Sequence, residues 1–169
     1  PVDASLPEDR KTAQRVRKMQ SELEQDAAYR ELFLPIGKRA TPLSTAELAT
    51  FTVETMRSVA GADIALSTRS SFRSPLPSGT LTMELLRAAM PYDNEIVTCT
   101  MAGPQLQRLL DVAGPDSITA GPPSIDPAKS YRVATTDYLA NVAYKSVFDC
   151  DKSSSGLKVR EEVRKKLVQ

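Results

Sequence analysis

The sequence predicts an α+β fold in which a small mixed sheet is flanked by helices and preceded by a long N-terminal helix. Segments with alternating apolar residues indicate strands, and segments with apolar residues every three or four positions indicate helices. The two kinds of segment alternate along the chain, which is typical of two or three packed layers. The chain has 169 residues, of which 41% are hydrophobic, enough for one domain with its own core.

The composition excludes several functional classes. The chain has 22 basic and 21 acidic side chains, so we expect no nucleic-acid partner. No apolar run approaches the roughly 20 residues that cross a bilayer, so no transmembrane segment is predicted. Histidine is absent, which excludes Ser-His triads and most zinc sites, and we expect no catalytic or metal-binding residue. A start at Pro1 without Met or leader indicates a processed or trimmed piece of a longer protein.

The first predicted element is an amphipathic helix over 8–32. Ser5 is the expected N-cap and Pro7 the first-turn proline. The apolar residues form a narrow stripe, with charges on the other faces: Ala13, Val16, Met19, Leu23 and Ala27. We expect this stripe either to pack on the rest of the domain or to bridge to another one. A short extended run follows over 33–36.

The remaining elements follow from capping signals and periodicity. Ser44 and Glu47 form a capping box that opens a helix, and Gly61 is a good stop after its end near Ala60. Further helices are predicted over 82–90, 104–113, 138–148 and 156–169, and strands over 62–67, 95–101 and 131–136. Loops are predicted over 68–80 and 114–129, with a polar break over 149–155. Long ordered loops are more often functional than short connectors.

The last helix and the two cysteines carry simple expectations. In the helix over 156–169, an apolar stripe formed by Val159, Val163 and Leu167 is expected to pack inward, and the basic residues, Arg160 among them, to form a solvated face. Cys99 and Cys150 are too few for a disulfide framework and lack metal-ligand spacing. Because Cys99 alternates with apolar residues, we expect a buried free thiol. A single disulfide is the alternative if the parent protein is exported.

Four motifs in one order resemble the C-terminal domain of 5′-nucleotidases. Residues 62–66 read Ala-Asp-Ile-Ala-Leu and precede a loop that ends at Arg73. Residues 79–82 read Gly-Thr-Leu-Thr, and 91–94 read Pro-Tyr-Asp-Asn. Residues 125–135 are similar to the family's Asp-Pro-x-Lys-x-Tyr-Arg segment and its flanking apolar positions. The resemblance covers most of the chain and implies the fold of that domain.

The resemblance also implies an organisation and a function. In that family an N-terminal metallophosphatase domain holds two divalent metal ions and hydrolyses the phosphoester, while the C-terminal domain binds the nucleoside part. The opening helix resembles the linker between them, which predicts a linker over 1–36 and a C-terminal-like domain over 37–169. We therefore expect a nucleotide or nucleoside ligand, a missing catalytic domain as partner, no cofactor and no activity in this chain alone, and a secreted, periplasmic or cell-surface location.

Four residues match positions that the family uses to bind substrate. Arg73 matches a loop arginine, whose guanidinium suits ribose or phosphate oxygens; an ion pair with a neighbouring carboxylate is the alternative. Tyr92 and Tyr138 match two aromatic rings that stack on the base; the alternative is that both are half-buried structural residues. Asn94 belongs to the same motif as Tyr92, although an asparagine amide often bonds nearby backbone and fixes a turn.

The chain departs from the family at two places near these residues. Thr68, Ser70 and Ser71 stand where the family has an asparagine and two glycines, and serine restricts the backbone more than glycine does. After Tyr138 the chain lacks the family's Gly-Gly-Asp-Gly turn. These departures favour an alternative function, a non-catalytic interaction or small-metabolite-binding module that keeps the fold with a degenerate pocket.

Overall fold

A computed structural model describes residues 7–167 of the chain. The helices are α1 (Arg10–Gln25), α2 (Arg30–Phe33), α3 (Thr45–Val59), α4 (Met83–Ala89), α5 (Gly103–Ala113) and α6 (Val159–Leu167). The strands are β1 (Pro35–Arg39), β2 (Ile64–Thr68), β3 (Gly79–Thr82), β4 (Glu95–Ala102), β5 (Ser117–Ala120), β6 (Ser130–Thr136) and β7 (Ser153–Lys158). Within 7–167, none of the helices has the length and apolar content to span a membrane.

The main sheet has five strands in the order β5-β2-β6-β4-β7. β2 and β6 are parallel, with Ile64 beside Val133, whereas the other neighbours in the sheet are antiparallel. β1 and β3 form a separate antiparallel pair. Because β2 and β6 run the same way, their carboxyl ends at Thr68 and Thr136 lie at one edge of the sheet, where ligands commonly bind in sheets with parallel strands.

Helices cover both faces of the main sheet, so the domain has three layers. α3, α4 and α6 pack on one face and build a first core with Ala65 and Ala134. α5 and the segment 140–148 pack on the other face and build a second core with Ile64 and Leu66. Successive residues of β2 therefore face opposite cores, as the alternation of a strand requires. The predicted α+β fold with a small mixed sheet is confirmed.

The predicted start of α3 is present in full. The Ser44 hydroxyl donates to Glu47 Oε2 at 2.7 Å, and the Ser44 backbone N–H donates to the same oxygen at 2.8 Å. The Glu47 backbone N–H in turn donates to Ser44 Oγ. The two hydrogen bonds that its carboxylate accepts hold the pKa of Glu47 below its ordinary value of 4.5. α3 begins where the capping box predicts.

The first helix begins later than predicted. Asp9 is its N-cap, and its carboxylate accepts a hydrogen bond from the Thr12 N–H at 2.7 Å. Hydrogen bonding from the Thr12 side chain, and then from its backbone N–H, lowers the pKa of Asp9 below its ordinary value. Pro7 precedes the helix and is not its first-turn proline, and the expected cap Ser5 lies outside the described residues. An aspartate is as good a cap as serine, so the cap can shift along the chain.

The single helix predicted over 8–32 is interrupted. α1 ends at Gln25 because Asp26 has an extended backbone, with ψ at 125°. The Asp26 carboxylate accepts a hydrogen bond from the Ala28 N–H at 2.8 Å, which holds a turn before α2. Aspartate competes in this way with helical hydrogen bonding. The extended run predicted over 33–36 begins at Pro35 and belongs to β1.

Most of the apolar stripe of α1 is exposed in the described part of the chain. Ala13 is buried, whereas Val16, Met19 and Leu23 are 56%, 55% and 44% exposed. A helix that packed its stripe on the sheet or its neighbouring helices would bury these side chains. The first sequence expectation for this helix, that its stripe packs on the rest of the domain, is therefore not met by the described residues.

Three strands lie partly or wholly in segments predicted as loop or polar break. β5 lies within 114–129 and pairs with β2, β3 begins at the end of 68–80 and pairs with β1, and β7 begins within 149–155 and pairs with β4. These strands are short and rich in serine, threonine and glycine. Because they lack apolar alternation, the sequence gives no signal for these strands. Their extended conformation depends instead on backbone pairing with a neighbouring strand.

The last two predicted helices are shorter than expected. The helix predicted over 138–148 is a single π-helical turn over Leu139–Ala143, after which Val147 and Phe148 enter the second core. The helix predicted from 156 begins at Val159, because β7 continues to Lys158. The apolar stripe of α6 is buried as predicted.

Cys99 and Cys150 form a disulfide with their Cα atoms 6.1 Å apart. The expectation of a free thiol at Cys99 is therefore wrong, and the alternative pairing is the one present. Cys99 lies on the face of β4 that contributes to the second core, and the segment 140–148 packs on that face. The chain after Phe148 consequently brings Cys150 to Cys99 and joins this segment to the central sheet.

We predict that the double variant Cys99→Ala/Cys150→Ala has a free energy of unfolding about 2–5 kcal/mol lower than the wild type. The bond closes a loop with a sequence separation of 51, and removing such a link restores conformational entropy to the unfolded chain. Urea titration with and without dithiothreitol measures this. The reductant should lower the stability of the wild type and leave the variant unchanged; equal wild-type stability in both conditions contradicts the prediction.

Candidate functional site

A cavity of about 340 Å³ lies where β2 and β6 end. The four residues singled out in the sequence, Arg73, Tyr92, Asn94 and Tyr138, all line it. Thr68 and Thr136, the last residues of β2 and β6, also line it, and the segments that follow these strands add Ser70, Ser71 and Leu139. The volume is at the lower end of the range for small-molecule sites. The structure therefore brings all four sequence candidates to one concave surface.

Thr136 and Leu139 are the two lining residues that sequence reasoning missed. Thr136 is the last residue of β6, and Leu139 begins the π-helical turn that follows. The Thr136 hydroxyl accepts a hydrogen bond from the Leu139 N–H at 3.2 Å. Their position at the carboxyl end of a parallel strand was the available signal, but the pairing that makes the strand parallel is not visible in the sequence.

Side-chain hydrogen bonds hold the loop after β2. The hydroxyls of Thr68 and Ser71 are 2.8 Å apart. Ser70 donates to the Asp116 carboxylate from its hydroxyl at 2.7 Å and from its N–H at 3.2 Å. No non-glycine residue in 7–167 has a positive φ. Ser70 and Ser71 therefore adopt this loop conformation without a backbone angle that would require glycine. Asp116, in a segment predicted as loop, holds the loop through its hydrogen bonds with Ser70.

Arg73 is held against Tyr92. Its Nη2 atom donates a hydrogen bond to the Tyr92 hydroxyl at 2.7 Å, and its Cζ atom lies 5.8 Å from the centre of the Tyr92 ring. The Arg73 backbone N–H donates to the Ala89 carbonyl at 2.9 Å. The partner of the guanidinium is thus the Tyr92 hydroxyl rather than the carboxylate of the alternative expectation. Its other N–H groups can serve a ligand.

Tyr92 and Tyr138 both line the cavity. They are 48% and 54% exposed, so each ring is half-buried and keeps open surface. The Tyr138 N–H donates to the Asp137 carboxylate at 2.9 Å, and the same oxygen accepts from the Glu95 N–H at 3.2 Å. This shared carboxylate links the start of the turn after β6 to β4. The backbone that carries Tyr138 is therefore anchored.

Asn94 holds its turn through the backbone. Its carbonyl accepts a hydrogen bond from the Val159 N–H at 3.0 Å, which joins the turn before β4 to the start of α6. Asn94 is among the residues that line the cavity. A turn-fixing role thus belongs to the carbonyl, and the amide remains a candidate contact.

Arg160 of α6 forms hydrogen bonds to the turn before β4. Its Nη1 atom donates to the Met90 carbonyl at 2.9 Å and to the Pro91 carbonyl at 3.3 Å, and Nη2 lies 3.0 Å from Asp93 Oδ1. The side chain is buried, so its placement on a solvated face was wrong. Arg160 lies three residues before Val163, in register with the apolar stripe of α6, and this spacing was the signal that could have found it.

The family comparison agrees with the fold. The 5′-nucleotidase C-terminal domain family matches residues 34–123, which is more than half of the chain. The chain belongs to this family. No curated protein matches it in sequence.

Solved structures of 5′-nucleotidases share the fold of this C-terminal domain. The Thermus thermophilus 5′-nucleotidase precursor matches with a TM-score of 0.70 and 16% identity over 95% of this chain and 40% of that chain. A putative 5′-nucleotidase from Staphylococcus aureus matches with a TM-score of 0.70 and 12% identity over 98% of this chain and 42% of that chain. The NAD nucleotidase of Haemophilus influenzae matches with a TM-score of 0.65 and 18% identity over 94% of this chain and 38% of that chain. The chain thus spans about two fifths of the length of these relatives.

The two-metal chemistry of the family's catalytic half does not fit the described part of this C-terminal domain. No group of three or more His, Cys, Asp or Glu residues that could hold a metal ion occurs within 7–167, and the sequence contains no histidine. Arg73 is the one charged side chain among those lining the cavity. A positive group beside aromatic rings and hydroxyls suits a ligand with an aromatic part and an oxygen-rich or anionic part.

We predict that Arg160→Met lowers the free energy of unfolding of this 5′-nucleotidase C-terminal domain by about 1–3 kcal/mol. Methionine keeps the apolar stem but leaves the Met90 and Pro91 carbonyls without their donor, the cost expected for an unpaired buried acceptor. Arg164→Met is the matched control on α6, since the partly exposed pair of Arg164 with Glu161 contributes little. Urea titration measures both; equal losses in the two variants contradict the prediction.

Proposed function

We propose that this chain is the nucleotide- or nucleoside-recognition domain of a 5′-nucleotidase-like phosphoester hydrolase that acts in nucleotide catabolism. The single observation that carries the proposal is the convergence of Arg73, Tyr92, Asn94 and Tyr138 on one cavity. These residues come from three separate segments of the sequence, and they resemble the positions that the family uses for substrate. Family membership and the cavity volume support the same conclusion.

The side chains of the cavity suit the parts of a nucleotide. Tyr92 and Tyr138 offer half-exposed aromatic faces, and stacking on such faces tolerates any base. Arg73, already oriented by the Tyr92 hydroxyl, offers its remaining N–H groups to ribose or phosphate oxygens. We propose that the base stacks on the tyrosines, that Arg73 holds the sugar or phosphate side, and that Asn94 contacts the ligand between them.

Hydrolysis belongs to a partner domain in this proposal. The chain covers 40% of the Thermus thermophilus 5′-nucleotidase precursor, and in the family a metallophosphatase domain with two divalent metal ions precedes this one. The exposed side chains of Val16, Met19 and Leu23 support a linker helix that lies against such a domain. We place the linker at 1–36 and the recognition domain at 37–169, with the first two residues of β1 before that boundary. Movement about the linker admits substrate and releases product.

The disulfide supports a location outside the reducing cytosol. Cystine bonds form and persist in secreted, periplasmic and cell-surface proteins, and Cys99 and Cys150 are paired. We therefore propose that the parent protein is exported, either secreted, periplasmic or attached to the cell surface.

We predict that the chain binds adenosine and AMP, and that Tyr138→Ala weakens both about 5- to 150-fold, the range expected for loss of one base–aromatic stack. Arg73→Ala should weaken AMP more than adenosine if the guanidinium faces the phosphate. Isothermal titration calorimetry measures these affinities. Tyr29→Ala is the matched control, because Tyr29 is 48% exposed and does not line the cavity. If Tyr138→Ala changes the two affinities as little as Tyr29→Ala does, the proposed pocket is wrong.

We also predict that the isolated chain hydrolyses no nucleotide in the presence of Mg²⁺, Mn²⁺, Co²⁺ or Zn²⁺, since the residues for a two-metal site are missing from its described part. Release of inorganic phosphate from AMP, compared with buffer alone, measures this. A rate that survives repurification over two different columns, and that Arg73→Ala abolishes, contradicts the assignment of hydrolysis to another domain.

A second candidate function is a non-catalytic interaction module with a degenerate pocket. The segment after Tyr138 favours it, because a π-helical turn occupies the place of the family's Gly-Gly-Asp-Gly turn, and its Val142 is 63% exposed. An exposed apolar side chain in this turn suits a protein partner better than a ribose. Absence of nucleoside binding in the calorimetric experiment, with the fold intact, selects this candidate.

A further inference from the structure

A small recess adjoins the cavity on its inner side. It has a volume of about 20 Å³. Ser71, Tyr92, Asn94 and Thr136 line both spaces, so the recess and the cavity are contiguous. A space of this size holds one water molecule or one polar substituent of a ligand.

Two buried hydroxyls reach this recess from neighbouring strands. Ala65 of β2 lies beside Ala134 of β6, and the same parallel register places Ser67 beside Thr136 two residues further on. Ser67 and Thr136 are 3% and 5% exposed, and both line the recess. They lie at the carboxyl edge of the parallel pair, directly behind the cavity.

The Ser67 hydroxyl has no hydrogen-bond partner within 7–167, whereas other hydroxyls at the recess do. The Thr52 hydroxyl donates to the Leu48 carbonyl at 2.8 Å, and the Thr136 hydroxyl accepts from the Leu139 N–H. Every fully enclosed side-chain nitrogen or oxygen in this range is satisfied, so the Ser67 oxygen keeps open surface toward the recess. A buried hydroxyl is costly when it is unpaired, and a group entering the recess satisfies it.

We propose that the recess receives a hydrogen-bonding substituent on the edge of the bound ring, and that Ser67 and Thr136 thereby select purine nucleosides that carry an exocyclic amino or carbonyl group. This inference rests on the proposed function. The Ser67 hydroxyl can both donate and accept, so it accommodates either substituent. The Thr136 hydroxyl keeps its proton for donation because its oxygen already accepts from Leu139. A ring without a substituent leaves both groups to a water, and a site built for hydrogen bonding discriminates against such a ligand.

Isothermal titration calorimetry of the full chain with adenosine, inosine and purine riboside tests this inference. Purine riboside has the same ring and sugar but no exocyclic group. The wild type should bind adenosine and inosine about 3- to 10-fold more tightly than purine riboside, the ratio expected for one net hydrogen bond. Ser67→Ala removes one of the two hydroxyls with a minimal change in volume and should lower this ratio toward 1, with the purine riboside affinity retained.

Ser58→Ala is the matched control, since it deletes an exposed serine hydroxyl on α3 and should preserve the wild-type ratio. A thermal melt of each variant checks that the fold is intact. A wild-type ratio near 1, or an adenosine-to-purine riboside ratio that Ser67→Ala leaves unchanged, overturns the role of the recess while nucleoside binding stands. Absence of binding by all three nucleosides overturns the proposed function and this inference with it.

Discussion

The parallel pairing of β2 with β6 is the constraint on which the site depends. Parallel strands present their carboxyl ends at the same edge, so the chain leaves β2 and β6 at neighbouring points of the sheet. The loop that ends at Arg73 and the turn that begins with Tyr138 therefore line one cavity, although they are distant in sequence. The same register places Ser67 and Thr136 side by side behind that cavity. If the two strands were antiparallel, these residues would lie at opposite ends of the sheet.

Two supports hold the walls of the cavity on this edge. Buried Arg160 donates to successive carbonyls of the turn that carries Tyr92, and this turn in turn meets Arg73. On the other side, the disulfide from Cys99 fixes the chain that follows the Tyr138 turn. Aromatic rings that are already held in fixed positions lose less conformational entropy when a ligand binds. In the function proposed above, these supports would contribute to recognition without touching the ligand.

The elements with local signals were predictable, and those with long-range causes were not. The capping box at Ser44 sets the start of α3 through bonds that span three residues, and the apolar strands show their alternation directly. β5 and β7 have neither signal, since their small polar residues are ordered by pairing with β2 and β4. The pairing of Cys99 with Cys150 and the burial of Arg160 likewise depend on which segments meet in space.

The sequence by itself determined the α+β class and the buried apolar stripe of α6, which follow from patterns that neighbouring residues carry before any tertiary contact forms. It indicated the four residues of the candidate site through the resemblance of ordered motifs to the 5′-nucleotidase C-terminal domain. Only the tertiary structure decided that the four residues share a cavity, that Asp116 holds the serine-containing loop, and that Ser67 opens into a recess behind it. Such relations arise from strand order and packing, and no local pattern records which strand lies beside which.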